Sequence, residues 1–264
     1  MTMLTIQEAA GRLRSFDNVL ILTHVRPDGD TVGSAAALCA GLRALGKTAY
    51  LLPNPELTDT AAPYFRPYAA PADFQPERVV STDIAAAALF PENAKPYAER
   101  VDLAIDHHPS FEGFGRENYV RPSAAATGEI IYDILAELGP ITAEMALPLY
   151  VAVSTDCGCF AYNNTTAHTH AVAAALLRTG IDFQAVNKTF FRTKTKKRLA
   201  LEAAMLGEIE YHAVAVSPAL WLLFQAVETS PCKVFLHIPP LRHRVFPDTN
   251  WPWPSLYCCL LQTS

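Results

Sequence analysis

The sequence predicts an α/β fold, a parallel β-sheet with helices on both faces, followed by a linker helix and an irregular C-terminal tail. Three observations support this. Short apolar, β-branched runs recur at residues 19–23, 48–52, 78–83 and 101–106, with helical patterns between and after them; such alternation favours parallel pairing, because a parallel connection must cross over. A hydrophobic fraction of 50% and a charged fraction of 18% mark an ordinary globular chain rather than a disordered one. Finally, His and Asp gather at the ends of the apolar runs, where α/β sheets keep their ligand sites.

Taken in order, residues 1–15 read as a short amphipathic helix carrying Glu8, Arg12 and Arg14, without the apolar stretch of a signal peptide. Residues 19–23 are the first strand. A loop through His24-Val25-Arg26-Pro27-Asp28-Gly29-Asp30 follows, and then an Ala/Leu helix over 31–45 that stops at Gly46. Residues 48–52, 78–83 and 101–106 supply three more strands, the last two ending on Asp83 and Asp106. Helices over 128–138, 143–154, 166–179, 183–187 and 194–211 fit apolar spacings of three and four. The last of these has an apolar stripe of Leu199, Met205, Leu206 and Ile209 behind the basic run Lys194, Lys196, Lys197 and Arg198.

This gives a catalytic domain over 1–190, a linker helix over 191–212 and an atypical tail over 213–264. The tail lacks glycine, yet holds all three tryptophans, seven of the twenty prolines and three of the six cysteines. Its prolines interrupt any helix or central strand, and its composition resembles translation in a wrong frame.

Several function classes are excluded. A formal charge of -5 provides no broad basic face for long duplex DNA. Six cysteines without CxxC pairs argue against a zinc ribbon or a disulfide scaffold and fit a reducing cytoplasm. No apolar run reaches the roughly 20 residues of a membrane span.

The chemistry lies in His24, Asp28 and Asp30, in Asp83, in Asp106-His107-His108 and in Asp156. A tight loop, with Pro27 and Gly29 interposed, can turn the first three toward one point, whereas a helix would scatter Asp28 and Asp30. Acids collected at four strand-end clusters repel one another unless a cation joins them. They are numerous enough for two divalent ions. The mixed oxygen and imidazole shell suits manganese first, with magnesium and zinc behind it. A pair of such ions activates water against a phosphate ester.

Lesser features receive plainer readings. Gly29 and Gly33 are explained by turn geometry, Cys157 and Cys159 by tight packing, and His168 and His170 as surface or packed residues. Ser34, beside Gly33 at the start of a helix, is placed where N–H groups could assist phosphate binding, and Arg198 where it could guide an oligonucleotide.

The segments 24–34 (HVRPDGDTVGS), Ser81-Thr82-Asp83, Asp106-His107-His108-Pro109, Ala126-Thr127-Gly128-Glu129 and 155–166 (TDCGCFAYNNTT) run in the order seen in a known family. Over about residues 15–212 the chain resembles the DHH phosphoesterase superfamily, and within it the bacterial nanoRNase and pAp phosphatase branch. The resemblance implies that His24, Asp28 and Asp83 hold one metal and that Asp30, Asp83, His107 and Asp156 hold the other, with Asp83 as the bridge. It implies that His108 faces the substrate phosphate and that Asp106 orients the histidines from behind. Manganese, two ions, is the implied cofactor. Short RNA oligonucleotides and nucleotide phosphates such as pAp are the implied substrates, and a homodimer is compatible with them. Cys157 stands where the family commonly has Thr.

The glycine-rich GGGH segment of the family's second domain has no counterpart in 213–264, which leads us to expect weak or absent nanoRNase activity. An inorganic pyrophosphatase shares the same metal logic, but its first motif resembles Pro-Asp-Thr-Asp rather than Pro27-Asp28-Gly29-Asp30. A non-catalytic nucleotide-binding remnant is the reading from another class.

Overall fold

The computed structural model describes residues 2–207, so the expectations for the tail over 213–264 and for the end of the linker helix lie outside the described residues. Residues 1–202 form one compact unit, which contains all of the architecture below except the last turn of the final helix.

The strands are β1 (Thr2–Met3), β2 (Val19–Leu22), β3 (Ala49–Leu51), β4 (Arg78–Thr82), β5 (Leu103–Asp106) and β6 (Glu117–Val120). All pairings are parallel, in the order β1-β6-β5-β4-β2-β3. The chain leaves β2 for β3 on one side and returns to β4 on the other. The order therefore reverses between β2 and β4, the kind of switch point at which α/β sheets open a crevice.

The sheet is buried on both faces, and strand periodicity decides which side chain goes where. Val19 and Ile21 of β2 enter the larger core with Leu103 and Ile105 of β5, while Leu20 and Leu22 turn to the smaller core with Val79 and Ala104. On the larger side lie α1 (Ile6–Ser15), α2 (Gly29–Ala44), α5 (Thr127–Leu138) and α6 (Ala143–Asp156). The smaller side is covered by short segments, including α4 (Lys95–Ala98), with Phe90, Phe111 and Phe114 packed ring against ring. Helices therefore flank both faces unequally.

The α1 helix begins at a capping box in which Thr5 and Glu8 satisfy each other's backbone N–H groups. By contrast, α2 is buried almost all round from Gly29 to Leu42, because the sheet lies on one side and α6 on the other. The packing is closest at Gly33: a Cβ there would stand 2.3 Å from the Pro148 carbonyl and 2.7 Å from the Ala152 nitrogen of α6. A Cβ on Gly29 would meet the Thr155 side chain at 2.3 Å. Turn geometry, the expected reason for both glycines, is therefore not the reason; both lie in a helix, and close approach excludes a side chain.

Two strands were not anticipated. The residues of β6, Glu-Asn-Tyr-Val, are half polar, and β1 is two residues long, so neither shows the β-branched pattern of a buried strand. The remaining helices are α3 (Ala62–Phe65), α7 (Ala167–Leu177), α8 (Phe183–Asn187) and α9 (Lys196–Gly207). Among the described residues no helix is long and apolar enough to cross a membrane.

Candidate metal centre

Two sequence expectations about the centre need correction. Asp28 and Asp30 do not share a loop. Asp28 is the N-cap of α2, accepting from the N–H groups of Asp30 (3.0 Å) and Thr31 (3.1 Å), and Asp30 lies in the first turn. Nor is Asp156 at a strand end: it is the last residue of α6, delivered by a helix that crosses α2.

Three strands and two helices nevertheless bring eight side chains together. His24 Nε2 lies 3.6 Å from Asp28 Oδ1 and 3.8 Å from Asp83 Oδ2. His107 Nε2 lies 3.6 Å from Asp156 Oδ2, 3.7 Å from Asp83 Oδ1 and 3.9 Å from Asp30 Oδ2. Potential ligand atoms of His24, Asp28 and Asp83 fall within 4.8 Å of one another, and the same holds for Asp30, His107 and Asp156 and for Asp83, His107 and His108. The two oxygens of Asp83 thus face different groups. Its backbone, at φ 60°, is held in the left-handed region just past β4, a conformation that Asp tolerates better than most residues.

Each imidazole is oriented by its other nitrogen. His24 Nδ1 lies 2.7 Å from the Val25 carbonyl, which leaves Nε2 for the cluster. Asp106 orients only one of the two rings that the resemblance assigns to it. Its Oδ1 accepts from His108 Nδ1 at 2.7 Å and from the backbone N–H groups of His107 (2.6 Å) and His108 (3.0 Å), but the His107 ring is 3.1 Å from the Ala124 carbonyl instead. His108 is the most open of the three rings, at 42% exposure.

Asp30 is buried and accepts three hydrogen bonds: from Ser34 Oγ (3.0 Å), Thr127 N–H (2.7 Å) and Gly128 N–H (2.9 Å). The positive end of α5 thus points at this carboxylate. Ser34 is itself fully buried, so the expected substrate contact gives way to a hydrogen bond that fixes Asp30. Thr127 also donates its hydroxyl to Asp83 Oδ1 at 2.9 Å. Thr127 stands in the Ala126-Thr127-Gly128-Glu129 motif, yet its neighbours in sequence do not assign it this task; the sign to look for is a hydroxyl at the start of a helix. Arg198, on α9, is not drawn to the cluster: it pairs with Glu202 at 3.0 Å, one turn along.

Electrostatics explains why such a group needs a counter-charge. Burial, reinforced by Asp83, Asp156 and Asp28, holds the Asp30 carboxyl well above the usual range. Burial, with Asp28 and Asp106, does the same to Asp83. Asp156 is raised by burial and Asp28 against the pull of His107 and His108. Burial works against a charge on His24, but Asp28 raises its pKa overall, and the hydrogen bond that His108 donates to Asp106 raises the pKa of His108. Like charges confined at this spacing favour a multivalent cation, and carboxylate with imidazole is a donor set that such cations accept. The residues fit a pair of divalent ions.

Of the two neighbouring cysteines, Cys157 is packed as expected, whereas Cys159 is half-buried. Cys157 is buried, receives the Phe160 N–H on its sulfur at 3.2 Å and is raised in pKa by burial. Burial pushes the Cys39 thiol up to about 12. His168 and His170 are exposed on α7.

Fold and cluster define a class: parallel α/β proteins with a carboxylate–imidazole centre at the carboxyl edge of the sheet. More particularly, residues 18–153 match the family described as "DHH family, N-terminal domain", and the chain belongs to the DHH family. It is 33% identical over 196 residues to the bifunctional oligoribonuclease and PAP phosphatase NrnA of Thermus thermophilus, covering 74% of this chain and 60% of that protein. Over 188 residues it is 26% identical to the NrnA of Bacillus subtilis, covering 68% and 58%. The chain thus spans about three fifths of the length of these curated relatives. An exopolyphosphatase-related protein of Bacteroides fragilis shares the fold, with a TM-score of 0.69 at 23% identity over 78% of this chain and 66% of that one.

Proposed function

We propose that the chain is a manganese-dependent phosphoesterase of the cytoplasm that hydrolyses two- to five-nucleotide RNAs and 3',5'-bisphosphonucleotides. One observation carries the reading: His24 with Asp28, and Asp30 with His107 and Asp156, flank the two oxygens of Asp83. The proposed ligands are those six residues, with Asp83 shared. Bound divalent cations supply charge neutralisation for a phosphoryl group and a nucleophile at neutral pH. The relatives named for oligoribonuclease and PAP phosphatase activity support the substrate class, and the mixed oxygen–nitrogen donor set supports manganese over magnesium.

The protein's own groups divide the remaining work. Asp106 fixes the His108 ring with Nδ1 inward, which leaves Nε2 as the nitrogen that can donate to a phosphoryl oxygen or to the leaving group. The same hydrogen bond to Asp106 raises the His108 pKa. Thr127 and Ser34 hold Asp83 and Asp30 without entering the ligand set.

The test is phosphate or mononucleotide release by the full chain with manganese from a diribonucleotide, pAp, pyrophosphate and a long RNA. Weak release from the first two, lost on chelation, is expected, in keeping with the low activity that the sequence leads us to expect. Release from pyrophosphate alone, or bound manganese with no ester cleaved, would overturn the reading.

A further inference from the structure

A short segment leading into α5 touches three of the four side chains proposed to hold one of the ions. The Ala124 carbonyl lies 3.1 Å from His107 Nδ1, the N–H groups of Thr127 and Gly128 donate to Asp30, and the Thr127 hydroxyl donates to Asp83. The fourth, Asp156, comes from the end of α6. One side chain joins it to that segment: Asn164 Nδ2 donates to the Ala125 carbonyl at 3.0 Å and to the Asp156 carbonyl at 3.2 Å. An amide nitrogen carries two hydrogens, one for each carbonyl. The reverse orientation would set Oδ1 against two carbonyl oxygens, so the chemistry fixes which way the amide faces.

To bring Asn164 back to Asp156 the chain folds over itself within eight positions, and it does so in a costly conformation. Gly158, Cys159 and Phe160 have φ of 56°, 55° and 68°, three successive residues in the left-handed region. Glycine adopts it freely, whereas cysteine and phenylalanine do so only where their surroundings hold them. Those holds are visible. The Cys159 N–H donates to the Ser154 carbonyl at 2.7 Å and the Phe160 N–H to the Cys157 sulfur at 3.2 Å. The Phe160 ring stacks on His170 of α7 with centroids 5.3 Å apart, and the Tyr162 ring lies so close over Gly158 that a Cβ there would stand 2.5 Å from it. Strain of this kind gathers at functional sites, and what this turn delivers is the Asn164 amide.

Resting on the two-ion phosphoesterase reading, we propose that Asn164 is a positioning residue for the ion assigned to Asp30, Asp83, His107 and Asp156. Its amide sets the spacing between Asp156 and the segment that orients the other three, and it works through backbone carbonyls rather than as a ligand. The other half of the centre has a tie of its own: Asn54 Nδ2 donates to the His24 carbonyl at 2.9 Å and to Thr23 Oγ1 at 3.0 Å. Loss of Asn164 leaves that tie in place, so the two ions should respond differently.

The test is a manganese titration of the full chain by calorimetry, in the wild type and in Asn164→Ala, together with NMR of the histidine ring protons in the chelated proteins. Asn164→Ala should weaken one ion about 10- to 100-fold, the usual effect of losing a group that orients a ligand, and leave the other unchanged. Asn164→Leu keeps the branched shape without charge or donors, so it retains the test if the alanine variant does not fold; it should give the same split. In chelated protein the His107 ring signals should move and the His24 signals should stay. A merely structural asparagine would lower the melting temperature and weaken both ions alike or neither. That result, or unmoved His107 signals in a folded variant, would overturn the proposal. A wild-type chain that binds no manganese would sink the two-ion reading instead, and the His107 signals would still decide whether Asn164 fixes the surroundings of that ring.

Discussion

Thr127 ties two carboxylates from distant parts of the chain to one helix start, through its N–H to Asp30 and its hydroxyl to Asp83. Thr127→Val keeps shape and N–H but frees Asp83, so manganese affinity should fall about 10- to 100-fold, the usual effect of losing a group that orients a ligand. A metal titration by calorimetry checks this, and unchanged affinity would contradict the role. Asp106 acts on one ring only. Asp106→Asn removes the charge that raises His108, so the His108 ring in chelated protein should titrate at lower pH than in the wild type, as read by NMR of the ring protons. The residue types were legible in the sequence: His and Asp after several apolar runs, taken together, point to a cation. The donors that fix them were not. Asp30 and Thr127 are 97 positions apart, and their hydrogen bond exists only because α5 packs against α2.

At the scale of elements, α2 is the most constrained piece of the molecule, enclosed by sheet and α6 and close to the backbone of α6 at Gly33. Gly33→Ala forces a methyl to within 2.3 Å of the Pro148 carbonyl. Overpacking of this kind costs about 1–3 kcal/mol. The urea midpoint should therefore drop, and since α2 carries Asp28 and Asp30, metal affinity should fall with it. An unchanged midpoint would show that α6 moves aside freely. The helix was legible as an Ala/Leu run, but the reason for its glycine was not, because local sequence does not say which helix crosses it. In the same way β6 was missed: its polar residues sit beside β1, where pairing rather than propensity decides.

Across the whole molecule, the cluster links stability to pH. Asp30, Asp83 and Asp156 are raised above the unfolded carboxylate value of about 3.9, and His24 and His108 above about 6.5. For all five the folded form holds protons more tightly than the unfolded chain. The stability they contribute is fully present below the unfolded values and is lost as pH rises through the raised folded ones. Asp28, which is lowered, acts oppositely, and only in the acid range. Chelated protein should thus lose stability from weakly acidic to neutral pH, whereas divalent ions, which bind the deprotonated folded cluster, should cancel the loss. Thermal melts with chelator and with manganese check this; parallel pH profiles would contradict it.

The central claim is that one bridging carboxylate joins two metal sites, and metal stoichiometry tests it most directly. Equilibrium dialysis of the full chain against manganese should give two ions per chain, and Asp83→Asn should reduce that number while the chain stays folded. One ion or none in the wild type, or two retained without the Asp83 carboxylate, would contradict the account.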